Sequence, residues 1–479
     1  MAIVLSLLVA TVLVTNPNVI VILADDVGYG DLGSYGSTKT QTPNLDKLAK
    51  QGIRFTDAHS PSTVCTPTRY AMLTGQYAFR NPKGAGILSG VAPLSIPTDT
   101  ATLPKVMQSA GYVTGVVGKW HLGLGAELPT NYNGLIQPGP KEVGFDYSFI
   151  MPATGDRVPC VYVENGKVVG YDPKDPIQVS YGKKVGDEPT GRENPELLKL
   201  KPLVGHADTI VNGVSRIGFM SGGKRARWND ETMADVYTKK ALNFIGKNRK
   251  KPFFLYLATH DIHAPQLPNK RFEGIAEAGL RGFALAELDW TVGEVMKALD
   301  RAKLSDNTIL IFTSDNGGVD NDGYGDPREN LNGHRVNGEL RGFKYDLYEG
   351  GHRVPFILRW PARVQAGAVS HELISHVDLL ASLRGLVDAP ATLDPKTDSA
   401  DVAGALFGSG SGRSSLVLHL GGAKSPLAYR KGKWALVPNK AAWELYDLSV
   451  DLGQQHNVAG ENRELVAQLV AELARERDK

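Results

Sequence analysis

The chain has 479 residues, 42% of them hydrophobic and 22% charged, with a net charge of +2. That length calls for one large domain plus a smaller one, and that balance excludes a disordered chain and shows no field for nucleic-acid binding. Two cysteines, Cys65 and Cys160, leave no internal disulfide if Cys65 is committed to chemistry.

The apolar run Ala2 to Val14 has the length of a signal peptide and is too short to span a bilayer. It lacks a basic n-region and a clean cleavage site. Residues 1–15 are read as a truncated or atypical export signal, which places the protein in the periplasm or outside the cell. No later stretch is long and apolar enough to span a membrane.

The first predicted strand is Asn18 to Ala24, ending in Asp25 and Asp26. A helix over Asn44 to Gln51 follows Pro43. Another starts near Cys65-Thr66-Pro67-Thr68-Arg69, with Thr66 as cap, Pro67 in the first position and Gly75 at the C-terminus. Leu103 to Ala110 reads as a helix before a strand, Gly111 to Val117, which runs into Gly118-Lys119-Trp120-His121. Residues 155–230 are rich in Gly, Pro and charge, and are read as an insertion folded over or beside the site, or equally as a surface excursion without function. Within it Val161 to Val169 reads as a hairpin on an Asn165-Gly166 turn. Asp230 to Asn248 predicts a helix, and the strand Pro252 to Ala258 then ends in Thr259-His260-Asp261-Ile262-His263. Phe283 to Ala302 predicts a helix before the strand Thr308 to Thr313, which ends in Ser314-Asp315-Asn316-Gly317-Gly318.

After Leu386 the composition changes. Leu416 to Leu420 and Trp434 to Val437 read as short strands, and Arg463 to Arg475 as an amphipathic helix. Residues 16–388 are therefore taken as a catalytic domain and 389–479 as a small C-terminal α+β domain with a short antiparallel sheet and a terminal helix. Continuous apolar strands alternating with helices predict an α/β fold, a large mostly parallel or mixed sheet flanked by helices. The polar clusters at the strand ends would converge beyond its carboxyl edge.

Those clusters have distinct chemistry. Asp25, Asp26, Asp315 and Asn316 are hard oxygen donors suited to Ca²⁺ or Mg²⁺ rather than zinc. Cys65 stands at a helix mouth, where free N–H groups favour an oxyanion, and Arg69 lies about one turn away. Lys119 and His121 share a face if the segment is extended: the lysine can hold an anionic oxygen and the histidine can move protons. His263 can protonate a leaving group, and His260 is read as structural. Lys344 is an anion clamp or an ordinary solvated lysine, and by spacing alone the solvated reading wins.

Together these residues resemble the type I sulfatases of the alkaline-phosphatase-like superfamily. The likeness is carried by Asn18 to Gly30, Thr42 to Gly75 with its Cys-x-Pro-x-Arg element, Gly118 to Gly123, Thr259 to Pro265, Thr313 to Gly318, Leu340 to Pro355 and Glu444 to Leu448. The resemblance implies that a maturation enzyme oxidises Cys65 to formylglycine, whose hydrate is the nucleophile. It implies one Ca²⁺ held by Asp25, Asp26, residue 65, Asp315 and Asn316. It further implies that Arg69 stabilises the hydrate, Lys119 and Lys344 grip sulfate, His263 assists the leaving group and His121 takes a proton from the second hydroxyl. The implied substrate is a sulfated small molecule or glycan, a carbohydrate sulfate before an aryl sulfate. Asp156, Arg157, His206, His334 and Arg335 are the loop residues that could meet a sugar.

There are departures from the family's pattern. A further histidine usual in the segment matching Gly144 to Cys160 is missing, and Asp451-Leu452 replaces the usual Asp-Pro. Alternatives left open are a phosphonate or phosphate ester hydrolase of the same superfamily, and a non-catalytic protein that binds sulfated glycans.

Overall fold

Val19 to Ala24 are fully buried, as a strand covered on both faces must be, and with Asn18 they form β1 (Asn18–Ala24) in the middle of a ten-stranded sheet. The structure, a computed structural model, describes residues 16–440 and 442–479. The run Ala2 to Val14 read as an export signal lies outside them. In chain order the sheet contains β1, β2 (Ile53–Phe55), β3 (Val113–Lys119), β4 (Tyr147–Met151), β5 (Val163–Glu164), β6 (Lys167–Val168), β7 (Phe253–Ala258), β8 (Thr308–Ser314), β9 (Phe356–Arg359) and β10 (Ala368–Ser370). Their spatial order is β10-β2-β9-β8-β1-β7-β3-β4-β5-β6. The strands β8, β1, β7, β3 and β4 are mutually parallel, and β9 joins antiparallel.

Register sets the level of the strand ends. Ala24 pairs with Ser314, Leu23 with Ala258, Ala258 with Gly118, and Lys119 with Met151. The residues that follow these strands therefore leave the sheet along one edge. Gly118 is required there: its φ is +106°, and a Cβ would sit 1.8 Å from the Ala258 carbonyl oxygen.

The helices α1 (Pro43–Lys50), α2 (Cys65–Thr74), α3 (Leu103–Ser109), α4 (Met233–Asn248), α5 (Gly279–Ala302) and α6 (Leu379–Leu386) fall into two packed groups, α1 with α4 and α5, and α2 with α3 and α6. Buried apolar residues of the sheet and of both groups form one large core. No described helix is long and apolar enough to cross a membrane.

The hairpin at Asn165-Gly166 is present, with both residues at positive φ, but it is no excursion: β5 pairs with β4 and extends the central sheet. The rest of 155–230 is held by short strand pairs and by the buried Arg216–Asp230 ion pair, 2.7 Å.

Near the C-terminus a four-stranded antiparallel sheet, β11 (Ser415–His419), β12 (Leu427–Lys431), β13 (Trp434–Asn439) and β14 (Ala442–Asp447), packs with α7 (Arg463–Arg477) through Leu469 and Leu473 around a second core. This sheet bears on the site directly. Ala71 of α2 belongs to its core, while Tyr70, Met72 and Leu73 belong to the main one. Ahead of Cys65, the Thr63 N–H donates to the His419 carbonyl (3.0 Å) and the His419 N–H to the Pro61 carbonyl (3.0 Å). Arg430 of β12 reaches Asp57 at 2.9 Å. Every residue of α2 is buried between the two cores, so Cys65 sits on a rigid mount.

Candidate active site at the carboxyl edge of the sheet

Helix α2 begins at Cys65, not after it: Val64 is the N-cap residue, and Thr66 lies inside the first turn. The Thr66 hydroxyl is used elsewhere, donating to the His121 carbonyl at 3.0 Å, so it is unavailable as the cap. The C-terminus is as expected, with Gly75 at φ +68°. Cys65 Sγ lies 3.3 Å from His121 Nδ1. The other ring nitrogen, Nε2, is 2.8 Å from the Leu88 carbonyl, which can only accept. The proton is therefore on Nε2, and Nδ1 presents a lone pair to position 65. Burial and the Lys119 charge hold His121 well below the usual imidazole range, so it is neutral and able to accept. Burial raises the Cys65 thiol pKa, although Lys119 and Lys344 pull it down.

Lys119 and His121 do not share a face. The strand ends at Lys119, and His121 turns at φ +54°, so the lysine points to Asp25 (2.6 and 2.8 Å) and the histidine to Cys65. Arg69 donates through Nε and Nη2 to Asp315 Oδ2 at 2.9 and 2.7 Å, and through Nη1 to the Lys119 carbonyl. Lys344 spans Asp26 (2.9 Å) and Asp322 (2.7 Å).

Asp25, Asp26 and Asp315 are fully buried, with a carboxylate oxygen from each lying within 4.8 Å of the others. Such crowding calls for a cation. Burial and the Asp25 charge push Asp315 up to about 6, whereas Lys119, His263, His260 and Arg69 outweigh burial and hold Asp25 well below the carboxylate range. Asn316 donates through Nδ2 to Asp26 at 2.7 Å, and its Oδ1 is buried with no hydrogen-bond partner. Three carboxylates and an unsatisfied amide oxygen make an all-oxygen donor set that fits a hard divalent ion.

His263 donates from Nδ1 to the Ala264 carbonyl at 2.7 Å and directs Nε2 toward Asp322 (3.7 Å) and Asp26 (3.9 Å). Burial lowers its pKa, Asp25 raises it and the two lysines lower it again. The residues singled out from the sequence thus form one continuous cluster. Two more belong with it. His260, read as structural, places Nδ1 3.3 Å from Asp25 Oδ2, with Nε2 buried and unpartnered. Asp322 holds Lys344 and faces His263, and no sequence pattern marks it, because it comes from an aperiodic loop.

Among the loop residues, Asp156 is buried beside Arg157 and accepts from His206 Nε2 at 3.1 Å. Asp156 and Arg157 act electrostatically on the cluster, at His263 and His121 respectively, and His206 is attached through Asp156. His334 does not: it is buried against Asp31 at 2.7 Å, in a support shared with Arg281, whose Nη2 also donates to the Asp26 carbonyl. Arg335 is exposed and outside this cluster. Cys160 is buried, with burial pushing its thiol pKa up to about 12, as for an inert core residue.

A family model described as sulfatase matches residues 17–389. An N-acetylgalactosamine-6-O-sulfatase of Bacteroides thetaiotaomicron is 48% identical, over 95% of this chain and 92% of that protein. Human arylsulfatase A is 32% identical, over 93% of this chain and 83% of that protein. A solved structure from work on the metabolism of multiple glycosaminoglycans by Bacteroides thetaiotaomicron has a TM-score of 0.94 at 47% identity, covering 97% of this chain and 100% of that one. The phosphonate monoester hydrolase of Agrobacterium radiobacter shares the fold, with a TM-score of 0.60 at 18% identity.

Proposed function

The chain belongs to the sulfatase family, and we propose that within it the enzyme hydrolyses a sulfate monoester on a carbohydrate, in the first place a 6-O-sulfated N-acetylgalactosamine. The observation that carries the reaction is the lone pair of His121 Nδ1 facing position 65, between two lysines and a carboxylate trio. The substrate class rests on the likeness to the Bacteroides enzyme.

A buried thiol with a raised pKa is a poor nucleophile for a sulfate ester. We read Cys65 as the precursor of formylglycine, installed by a maturation enzyme, whose hydrated form supplies the hydroxyl that attacks sulfur. Asp25, Asp26, Asp315 and Asn316, with residue 65, would hold Ca²⁺, which when bound supplies positive charge for that hydroxyl and for the sulfate oxygens. Lys119 and Lys344 bind the peripheral sulfate oxygens and stabilise the charge that builds there. Arg69, fixed by Asp315, keeps a positive charge beside position 65. His263 Nε2 donates a proton to the departing sugar oxygen. The incoming sulfate favours the protonated form of His263 by placing a negative charge beside it. His121 Nδ1 accepts the proton of the second hydroxyl at position 65, so that the bond from that carbon to the sulfated oxygen breaks, sulfate leaves and the aldehyde is restored. The export-like N-terminus and a glycan substrate both support action in the periplasm or outside the cell.

Mass spectrometry of the peptide containing residue 65, from protein made with its maturation enzyme, should find the aldehyde. The same protein should release sulfate from N-acetylgalactosamine 6-sulfate faster than from the 4-sulfate. A persistent thiol in active enzyme, or turnover confined to phosphonate esters, would refute the reading.

A further inference from the structure

Tyr345 directly follows the sulfate-clamping Lys344, and its backbone has φ +76°. For a bulky residue that conformation is strained and persists only where the surroundings impose it. Here the Tyr345 N–H donates to the Thr63 carbonyl at 3.2 Å, which ties the residue to the segment leading into Cys65. The strain brings only partial burial in return: Tyr345 is 46% exposed, and its hydroxyl makes no hydrogen bond among the described residues. Lys344 Nζ lies over one face of this ring, 5.4 Å from its centroid, so the ring and the anion clamp are neighbours. A flat, half-open ring is thus held in a costly pose beside the anion clamp.

Arg157 supplies a second, polar element. Its Nη1 is anchored on Thr154 and Asp156 at 2.9 Å, and Nε and Nη2 make no hydrogen bond among the described residues. Burial opposes its charge, and Asp156, with smaller contributions from Tyr181, Cys65 and Tyr345, more than restores it. The guanidinium is thus within electrostatic range of both the nucleophile position and the tyrosine.

We propose that Tyr345 is the platform on which the apolar face of the sulfated sugar ring stacks, and that the free edge of Arg157 binds the polar substituents of the same ring. This rests on the carbohydrate reading above. C–H groups on one face of a pyranose match the negative face of an aromatic ring, and a sugar seated there presents its sulfate to Lys344. The strain at Tyr345 is then the cost of orienting substrate rather than of holding the fold together.

The test uses the full matured enzyme and its Tyr345→Gly, Tyr345→Trp and Arg157→Gln variants, with N-acetylgalactosamine 6-sulfate as substrate and inorganic sulfate as inhibitor. Glycine relieves the positive φ, so Tyr345→Gly is expected to keep or raise Tm while KM rises about tenfold or more. Inhibition by inorganic sulfate, which reports the lysine clamp, stays unchanged. Tyr345→Trp keeps KM within about threefold of wild type, since it keeps the stacking face. Arg157→Gln raises KM for the sugar and leaves sulfate inhibition unchanged. An unchanged KM in Tyr345→Gly overturns the platform. A parallel loss of sulfate inhibition overturns it too, because the ring would then act only through Lys344, and a Tm lower by several degrees marks the residue as structural. Failure of the wild type itself to release sulfate from this sugar, while it cleaves an aryl sulfate, would instead remove the carbohydrate reading on which the platform rests.

Discussion

His121 Nδ1 lies 3.3 Å from Cys65 Sγ while Nε2 is committed to the Leu88 carbonyl at 2.8 Å. The second contact decides the first, because a carbonyl fixes the tautomer that leaves a lone pair facing position 65. His121→Ala should lower kcat about 10²–10⁴-fold, the usual range for loss of a positioned base. The midpoint of thermal unfolding should fall only slightly. Undiminished turnover would remove His121 from the reaction.

Lys344 Nζ bridges Asp26 and Asp322 at 2.9 and 2.7 Å, closer to both than His263 Nε2. Lys344→Ala should cost about 10²–10³ in kcat/KM, as for removal of one donor to a developing anion. Steady-state kinetics with N-acetylgalactosamine 6-sulfate measures this. A loss under threefold would mean that the sulfate oxygens lie elsewhere.

The carboxylates of Asp25, Asp26 and Asp315 repel one another when no cation lies between them. Treatment with a chelator should therefore reduce both activity and Tm, and added Ca²⁺ should restore them. At a hundredfold excess of Ca²⁺ over its Kd the stabilisation is about 2.7 kcal/mol. Calorimetry of Asp315→Asn should show weaker calcium binding. Insensitivity of Tm to both chelator and calcium would argue against the ion.

Arg430 is buried between Asp57 and Glu349, so it holds the C-terminal sheet against the segment that carries Cys65. Arg430→Leu leaves Arg353 as the remaining partner of both carboxylates and should cost about 1–3 kcal/mol of stability, the range for a buried polar group that loses a hydrogen-bond partner. Thermal unfolding would register the loss. Wild-type Tm in this variant would show that the docking rests on apolar contacts alone.

Burial, reinforced by Asp261, pushes Glu287 up to about 9 from its ordinary 4.5. The folded protein thus holds this proton more tightly than the unfolded chain does. Stability is full below about pH 4.5 and is lost as pH rises toward 9, where the unfolded chain gains by ionising first. Glu287→Gln should remove this penalty, so its advantage over wild type should grow from nil near pH 4 to a few kcal/mol near pH 8. Denaturant titrations at a series of pH values follow it. An advantage that does not change with pH would mean that Glu287 is ionised in the fold.

The central strands and the helices were legible because both periodicities are written along the chain. Val19 to Ala24, Phe253 to Ala258 and Thr308 to Thr313 are unbroken apolar runs, and only a strand buried on both faces tolerates them. The all-oxygen donor set was legible too: Asp25, Asp26 and Asp315 do lie together, with Asn316 against Asp26. Local pattern misled at Thr66 and at His121: one hydroxyl is drawn from the helix cap to a carbonyl 55 residues on, and one backbone turns at φ +54°.

Other features were decided by tertiary structure alone. Asp322 carries no motif, and His260 and Arg157 carried no assigned partner; the value of each depends on which side chain stands opposite: Lys344 for the first, Asp25 for the second, Asp156 for the third. Chain order fixed which groups were available, because residue type sets charge, hardness and hydrogen-bonding capacity. Packing fixed how they meet, because tautomers, ion pairs and burial depend on neighbours hundreds of residues away.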